Sequence, residues 1–294
     1  FGHAAFYLVA RIDGRPDIAG VLPLVEIRSR LFGRTMTSLP FLNYGGIIAD
    51  SEEAGGALLA FARELAARRG CRHVELRHLA RRFETLPCKQ HKVTMRLPLG
   101  PGLWDRLDRK VRNQIRKAMK SDLTVERGGV DRLSEFYLVF SRNMRDLGTP
   151  VYTRRLFEEV LRAFPDRTRL VIVRLKGMPI AAGLTFRTGG LVEVPWASSI
   201  NDFNSLCPNH LLYWSIIEAA MAEGCTMLDF GRSTPNEGTY KFKAQWGALP
   251  EPLHWEYCLL RDDVIPDQSP KNPKLRLFVE TWKRMPIWAA NLIG

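Results

Sequence analysis

Two segments of the chain repeat one pattern of arginine, glycine, proline and alanine without a gap. Residues 11–20 read Arg-Ile-Asp-Gly-Arg-Pro-Asp-Ile-Ala-Gly, and residues 174–183 read Arg-Leu-Lys-Gly-Met-Pro-Ile-Ala-Ala-Gly. Each copy predicts a strand, a tight turn and a second strand. The four predicted strands are 6–12, 18–28, 170–175 and 180–187. An internal repeat of this kind indicates a duplicated structural unit, so we expect two copies of one fold.

A second pair of matching segments follows in the same order. Residues 69–76 read Arg-Gly-Cys-Arg-His-Val-Glu-Leu, and residues 223–230 read Glu-Gly-Cys-Thr-Met-Leu-Asp-Phe. Each predicts the glycine end of a helix followed by a short strand. The helices are predicted over 52–69, with Ser51 as N-cap, and over 209–223. Chance recurrence of glycine turns is the alternative, and two matches in one order make it the weaker interpretation.

The second copy carries two amphipathic helices ahead of its hairpin. Apolar residues recur at helical spacing over 131–145 and over 153–164. The first copy begins almost at its first strand, so we expect its N-terminal helical segment to be missing from this sequence. The predicted divisions are an incomplete first domain at 1–100, a basic connecting helix at 101–125, a second domain at 126–262 and a C-terminal tail at 263–294.

Composition limits the class of protein. Apolar residues make up 46% and charged residues 25% of the 294 residues, as in ordinary globular proteins. A chain of this length buries roughly three quarters of its unfolded surface, and a mainly disordered, collagen-like or disulfide-stapled chain is excluded. The five cysteines are odd in number and widely spaced, which favours a reducing, cytoplasmic compartment.

One group of potential metal ligands is close together in the sequence. Its members lie within 21 residues and are Cys71, His73, His78, Cys88 and His91. Zinc sites usually pair their ligands at shorter, repeated spacings. The segment around His73 alternates like a strand, which sends neighbouring side chains to opposite faces. The sequence therefore predicts no metal site.

The net charge of +12 favours an anionic partner, whether nucleic acid, a phosphorylated substrate or an acidic membrane face. Basic residues concentrate in a predicted helix over 104–120, where seven are basic and two acidic. Arg112 and Arg116 lie on its basic face. A row of cations at helical spacing is suited to a chain of phosphates. A solvated face that only aids solubility is the equal alternative.

The tail mixes apolar and basic side chains over 275–293. Such a segment can rest on a membrane surface, which would place the protein at the inner face of a membrane. Packing on the second domain is the favoured alternative. Pro286 interrupts any continuous helix here, and no apolar run reaches the ~20 residues that span a bilayer.

Three stretches of the second copy carry a family resemblance. Residues 208–214 read Pro-Asn-His-Leu-Leu-Tyr-Trp, 224–231 read Gly-Cys-Thr-Met-Leu-Asp-Phe-Gly, and 238–247 read Gly-Thr-Tyr-Lys-Phe-Lys-Ala-Gln-Trp-Gly. The order of two helices, a hairpin, a strand, a helix, a strand and a last hairpin resembles the GNAT acyltransferase fold. Two such units in tandem resemble the FemAB family, which transfers aminoacyl groups in peptidoglycan bridge synthesis.

Further stretches are similar to one branch of that family, the FemAB-related proteins associated with PEP-CTERM, exosortase and exopolysaccharide systems. The similar stretches are 29–34, 39–46, 147–152 and 229–234. Together the similarities cover most of residues 6–260. The resemblance implies an α/β (α+β) chain of two tandem GNAT-like domains, the first truncated at its N-terminus.

The resemblance also implies N-acyl transfer to an amine of a cell-envelope precursor, from peptidoglycan or exopolysaccharide. Such precursors are anionic and linked to a nucleotide or a lipid, which suits the positive charge. The GNAT loop that cradles the coenzyme A pyrophosphate is absent before the helix at Asn209. This argues against plain acetyl-CoA use and agrees with the resemblance, which implies an aminoacyl-tRNA donor. The co-substrate stays open between aminoacyl-tRNA and acyl-CoA, and no cofactor is expected. The alternatives are an acyl-CoA-dependent N-acyltransferase on an amino sugar or amino acid, and a non-catalytic scaffold or RNA-binding protein.

Two residues are the catalytic candidates. Lys243 occupies the lysine of the family's Phe-Lys segment, where the resemblance implies that it stabilises an oxyanion or orients the donor. A surface lysine beside Lys241 is the alternative. Asp229 is predicted to end a short apolar strand, where α/β enzymes place working side chains. It would accept the amine proton or cap a turn near Arg232, and both interpretations stay open.

Eight further residues are predicted to bind the substrate. Phe242, Trp246 and Trp196 are aromatic, and a core position is the alternative for each. Asn209 is interpreted first as an N-cap, and the nearby His210 either as a base or as a hydrogen-bonding residue. The complete predicted binding set is Phe242, Trp246, Arg232, Trp196, Tyr152, Asn209, Arg112 and Arg116.

Overall fold

The computed structural model describes residues 2–14, 17–29, 33–261, 264–265 and 273–293. Two pieces of the sequence patterns, residues 15–16 of the repeat and 30–32 of the 29–34 stretch, lie outside the described residues. The chain forms two compact units. The first comprises residues 1–94, 232–235 and 251–267, and the second comprises the rest. Neither unit is one continuous segment. The four domain divisions that the sequence predicts, at 1–100, 101–125, 126–262 and 263–294, stay a prediction.

The first unit is built on a sheet with the strand order β1-β2-β3-β5-β14-β6, in which β4 pairs with β2. Its strands are β1 (Ala4–Arg11), β2 (Ile18–Ser29), β3 (Gly33–Thr37), β4 (Ile48–Ala49), β5 (His73–His78), β6 (Cys88–Lys89) and β14 (His254–Leu259). The predicted hairpin is confirmed as β1 and β2, which pair antiparallel.

One long helix, α1 (Glu52–Arg68), covers this sheet. The predicted N-cap is confirmed, because Ser51 Oγ accepts the Ala54 N–H at 3.1 Å. Leu58 and Ala62 of α1 are buried in the core with Leu22 of β2 and other strand residues. The apolar stripe of α1 and the inward residues of β2 therefore form one core.

His78, one of the potential metal ligands of this unit, has other partners. His78 Nδ1 pairs with Glu256 at 2.5 Å, and His78 Nε2 accepts the Ile47 N–H at 2.9 Å. Both ring nitrogens of His78 are thus engaged. Across the described part of the chain, no group of three His, Cys, Asp or Glu side chains is placed to hold a metal ion.

The second unit is built on a sheet with the order β13-β7-β12-β11-β10-β9-β8. Its strands are β7 (Val93–Pro98), β8 (Leu123–Gly128), β9 (Thr168–Leu175), β10 (Met178–Thr188), β11 (Leu191–Ser199), β12 (Met227–Ser233) and β13 (Leu249–Pro252). Its helices are α2 (Leu103–Arg106), α3 (Arg109–Lys120), α4 (Leu133–Asp146), α5 (Arg154–Ala163), α6 (Pro208–Ala222), α7 (Gly238–Ala244), α8 (Pro273–Lys283) and α9 (Ile287–Ile293). The predicted second hairpin and the helices α4, α5 and α6 are confirmed.

The predicted last hairpin is wrong. β13 joins the second sheet beside β7, whereas β14 joins the first sheet between β5 and β6. Only Leu253 separates β13 from β14, and a β-hairpin needs a loop of at least two residues. The two strands therefore cannot fold back on each other, and each pairs in a different sheet.

The predicted continuous helix over 104–120 is also wrong. Leu107 is extended, with φ −64° and ψ 142°, and it ends α2. Asp108 is the N-cap of α3, and its Oδ1 accepts the Lys110 N–H at 2.6 Å. An aspartate that bonds the backbone ahead of it favours a helix start over a helix interior, so the segment divides there.

The C-terminal helices α8 and α9 contact α4 of the second unit. Pro286 separates them as predicted. Trp282 is buried, and Arg145 donates to the Met285 carbonyl at 3.2 Å, which favours the packed alternative for this part of the tail. Trp288 and Leu292 stay exposed. Among the helices described, none combines the length and the apolar character needed to cross a membrane.

Candidate active site

The central feature of the second sheet is a gap between two neighbouring parallel strands. β11 and β12 pair at three positions, from Leu191 with Met227 to Glu193 with Asp229. Both strands continue beyond this point, β11 to Ser199 and β12 to Ser233. The described residues 194–199 have no partners in β12, so the strands separate after Glu193. Beyond Glu193 the two strands no longer pair with each other, although most of their residues stay buried.

Lys243 is anchored beside this gap. It lies on α7 and is only 7% exposed. Its Nζ donates to the Gly231 carbonyl of β12 at 2.8 Å. The alternative of a surface lysine is therefore wrong for Lys243, although its neighbour Lys241 is exposed.

Asp229 lies within β12 and is completely buried. The prediction that it ends the strand is wrong, because β12 continues to Ser233. Its Oδ1 accepts the Gly231 N–H at 2.7 Å, and Arg96 Nε donates to its Oδ2 at 3.3 Å. Asp229 therefore holds the backbone of Gly231 and pairs with Arg96 of β7.

The structure thus brings the two catalytic candidates together at one residue. Asp229 binds the N–H of Gly231, and Lys243 binds its carbonyl. Gly231 has a φ of +76°, in the left-handed region that glycine adopts without a steric penalty. A side chain at this position would strain the strand, and the two polar contacts fix its unusual turn.

The aromatic candidates are mainly core residues, as their alternatives state. Trp246 is 1% exposed and stacks on His210 at a centroid distance of 5.8 Å. Phe242 is half-buried in the same cluster, 5.2 Å from His210. Trp196 of β11 is buried edge-on against Phe157 at 5.1 Å. These rings form the apolar support of α7 and β11.

The prediction of Asn209 as an N-cap is wrong. Cys207 is the N-cap, with φ 56° and ψ 41°, and Pro208 occupies the first helical position, where proline is favoured. Asn209 Nδ2 instead donates to Ser199 Oγ at 2.8 Å. This bond ties the first turn of α6 to the end of β11, at the edge of the gap.

The start of α6 has few backbone N–H groups available to bind a pyrophosphate. Pro208 has no N–H, and the N–H groups of His210 and Leu211 bond the Cys207 carbonyl at 3.0 and 3.4 Å. Anion sites at helix starts depend on several N–H groups directed at the ligand. The geometry of α6 therefore agrees with the missing pyrophosphate loop of the sequence.

The remaining candidates lie on other elements. Tyr152 lies in the loop between α4 and α5, 6.0 Å from the Phe140 ring. Arg232 lies 5.3 Å above the Trp255 ring in the first unit. Arg112 and Arg116 lie on α3, where the Arg116 guanidinium covers Trp104 at 5.3 Å. None of the four is among the groups that hold Gly231.

The burial of His210 predicts how the stability of the fold depends on pH. Burial, and then the charge of Lys110, lowers its pKa from 6.5 to about 4. The unfolded chain therefore takes up a proton between pH 6.5 and 4 that the folded chain does not. Stability falls as the pH falls through this window, by at most about 3 kcal/mol. Titration of the His210 ring by NMR is expected to give a pKa near 4, and a value near 6.5 would contradict the buried position.

Sequence reasoning missed Arg96. Nothing in the stretch around Arg96 signals a contact with Asp229, because that contact depends on β7 joining the second sheet. The sequence around His210 indicates only a position near a helix start. Nε2 of His210 has no hydrogen-bond partner within the described residues, and only the packing of Trp246 and Phe242 reveals its burial.

Part of the sequence and most of the fold are similar to those of known proteins. Residues 106–244 match the acetyltransferase (GNAT) domain family. No curated protein matches the chain in sequence. Among solved structures the chain is similar to FemX, with a TM-score of 0.65 and 17% identity over 88% of this chain and 89% of that chain.

Two other solved structures are also similar. The C-terminal domain of a putative lysylphosphatidylglycerol synthetase from Agrobacterium fabrum has a TM-score of 0.59 and 13% identity, over 83% of this chain and 81% of that chain. A tandem GNAT protein from the clavulanic acid biosynthesis pathway has a TM-score of 0.53 and 13% identity, over 87% of this chain and 82% of that chain. Residues 106–244 are therefore similar to the GNAT acetyltransferase domain family, and the chain has the fold of FemX and of the tandem GNAT protein.

Proposed function

We propose that this protein is an N-acyltransferase that transfers an acyl or aminoacyl group to an amine of a cell-envelope precursor. The observation that carries the proposal is the gap between β11 and β12, with the buried ammonium of Lys243 anchored on Gly231 beside it. A separated strand pair gives an activated carbonyl a place to lie, and a fixed cation beside it matches the charge that develops during acyl transfer.

The proposed reaction is direct transfer. The acceptor amine attacks the donor carbonyl, which forms the C–N bond and a tetrahedral oxyanion. Lys243 stabilises this oxyanion, because an ammonium held in a water-poor site acts without reorganisation. The intermediate then collapses, the bond to the carrier oxygen or sulfur breaks, and the amine proton leaves with that group. No covalent enzyme intermediate is required.

Asp229 has a positioning role in this proposal. Its two oxygens accept hydrogen bonds from the Gly231 N–H and from Arg96. The carboxylate therefore holds the backbone at Gly231, whose carbonyl accepts the hydrogen bond from Lys243. Correct placement of the reacting groups contributes a large part of the rate in such reactions. Replacing Asp229 is therefore expected to misplace Lys243 rather than to remove a base.

Aminoacyl-tRNA is the proposed donor. The start of α6, with Pro208 and the N–H groups of His210 and Leu211 directed at Cys207, is poorly suited to a coenzyme A pyrophosphate. The acceptor is proposed to be an anionic nucleotide- or lipid-linked precursor of peptidoglycan, or of an exopolysaccharide as the narrower resemblance implies. Its negative charge complements the net charge of +12.

Two measurements test this function. A thermal-shift screen with tRNA, coenzyme A thioesters and nucleotide-sugars is expected to raise the melting temperature with tRNA and nucleotide-sugars, because a ligand of the folded state stabilises it. Transfer of a radiolabelled amino acid from aminoacyl-tRNA to an amine-bearing nucleotide precursor is expected to follow. Release of free coenzyme A from acetyl-CoA with the same acceptor would instead favour the acyl-CoA-dependent alternative.

The basic face of α3 is proposed to attract the anionic substrate. Reversing two charges, in R112E/R116E, is expected to weaken binding of tRNA or the anionic precursor and to reduce the slope of log affinity against log salt by about two. The matched control is R155E/R162E, which reverses two charges on α5. Equal salt slopes in wild type and R112E/R116E would reject α3 as a binding element.

A further inference from the structure

Four arginines surround a cavity of about 230 Å³ in the second unit. They are contributed by the end of β8, the turn before β9, β9 itself and the end of β10. These arginines are Arg127, Arg167, Arg169 and Arg187. Four guanidinium groups around one cavity repel each other, and such an arrangement is stabilised when an anion occupies the space between them.

The cavity is separate from the acyl-transfer gap. It lies against the C-terminal half of α6, where Ile216 and Ala220 line it, and beside Val192 near the start of β11. The gap opens after Glu193, and the bond from Asn209 to Ser199 marks its edge at the start of α6. The two features therefore lie at opposite ends of α6.

Two of the arginines are held by backbone carbonyls. Arg127 Nη2 donates to the Ser215 carbonyl at 2.7 Å. Arg169 Nη1 donates to the carbonyls of Pro165 and Thr168 at 2.5 and 2.8 Å. A carbonyl orients a guanidinium without neutralising its charge. Each guanidinium has five N–H donors, so these anchors keep most donors available to a ligand.

The charge of the cavity is only partly balanced. Arg187 lies 3.8 Å from Glu223, and Asp166 is the other acidic residue in the lining. Within the described segments of the chain, no carboxylate forms an ion pair with Arg127, Arg167 or Arg169. The cavity floor includes the buried side chains of Val171 and Val192. An apolar floor lowers the local dielectric and strengthens the attraction for an anion.

We propose that this cavity binds a phosphoryl group of an anionic ligand, at a site distinct from the acyl-transfer gap. Guanidinium groups recognise phosphate through paired N–H donors in one plane, and here they approach from three strands and a turn around a defined volume. The proposal does not depend on acyl transfer, so its failure would leave the proposed function unchanged.

Calorimetric titration of the whole chain at low salt tests the site, with inorganic phosphate, pyrophosphate and uridine diphosphate as probes. Saturable binding of pyrophosphate is expected. The variant R167Q/R169Q is expected to bind pyrophosphate at least about tenfold more weakly, because each lost charged contact is worth roughly that factor. Both side chains are exposed, so the melting temperature is expected to stay unchanged.

The matched control is R155Q/R162Q, which removes the same charge from exposed positions on α5. It is expected to bind within about twofold of wild type, since screened surface charge adds little. Similar affinities for pyrophosphate and uridine diphosphate would identify the phosphoryl group as the recognised part. Absence of saturable binding, or equal weakening in both double variants, would overturn the proposal.

Discussion

Replacing Lys243 with methionine is expected to lower the rate of acyl transfer by about 100- to 1000-fold, the usual cost of removing one stabilising group from an oxyanion site. Methionine preserves much of the buried volume but carries no charge. The loss should fall on the maximal rate rather than on the Michaelis constant, because the ammonium is proposed to act on charge that exists only in the transition state.

Three controls separate chemistry from folding. Lys241 lies on the same helix and is exposed, so K241M should retain wild-type activity. K243R keeps the positive charge and should retain part of the rate, although the planar guanidinium of arginine does not reproduce the hydrogen bond of the lysine ammonium to Gly231. The far-ultraviolet circular dichroism of K243M should stay near wild type, whereas its melting temperature should fall because the buried Gly231 carbonyl loses its donor. A folded K243M with full activity would show that the ammonium takes no part in the reaction.

Replacing Arg174 with leucine is expected to lower the free energy of unfolding by about 3 kcal/mol. Arg174 is only 8% exposed. It donates to both carboxylate oxygens of Glu135, at 2.6 and 2.8 Å, and forms an ion pair with Glu126. Its loss leaves two partly buried carboxylates with Arg132 as their remaining partner. Urea unfolding at pH 7 measures the change.

The cluster of Arg174, Glu126 and Glu135 also predicts how the free energy of unfolding depends on pH. The hydrogen bonds from Arg174 hold the pKa of Glu135 below its usual 4.5. A carboxyl with a lowered pKa stabilises the fold above its unfolded pKa, and this contribution is lost as the pH falls below that value. The difference between wild type and R174L should therefore narrow when unfolding is repeated at pH 3.5.

A double variant and a surface pair complete this test. R174L/E135L should recover part of the lost stability, because an apolar pair often replaces a buried ion pair without cost. R155L breaks the exposed pair with Glu159 and should change stability by less than about 1 kcal/mol. An R174L protein as stable as R155L at pH 7 would contradict the role assigned to the cluster.

Much of the fold follows from local sequence patterns. The repeat around Gly14 and Gly177 correctly predicted both hairpins, because a glycine turn between apolar strands is a local signal. The Ser51 cap and the helix ends before Gly70 and Gly224 are local as well. Such elements depend on residues within a few positions of each other, and the sequence displays these directly.

The division of the 104–120 helix at Asp108 and the N-cap of α6 at Cys207 are local errors, whereas the others concern partners that are distant in sequence. The single residue Leu253 between β13 and β14 excludes a hairpin, but it does not tell which sheet each strand joins. The contact between Arg96 and Asp229 depends on that pairing. The burial of Lys243 is likewise set by Gly231, which lies 12 residues earlier. The sequence therefore predicted the catalytic candidates but not the contacts that bring them together.

Hydrogen–deuterium exchange with a bound donor analogue shows whether the gap between β11 and β12 receives the acyl donor. The analogue is an aminoacyl-tRNA whose amino acid is attached by a stable amide. We expect slower exchange at residues 194–199, at 230–233 and in α7, where the gap and Lys243 lie. Saturable binding of this analogue with unchanged exchange in all three segments would contradict the claim that the gap receives the acyl donor.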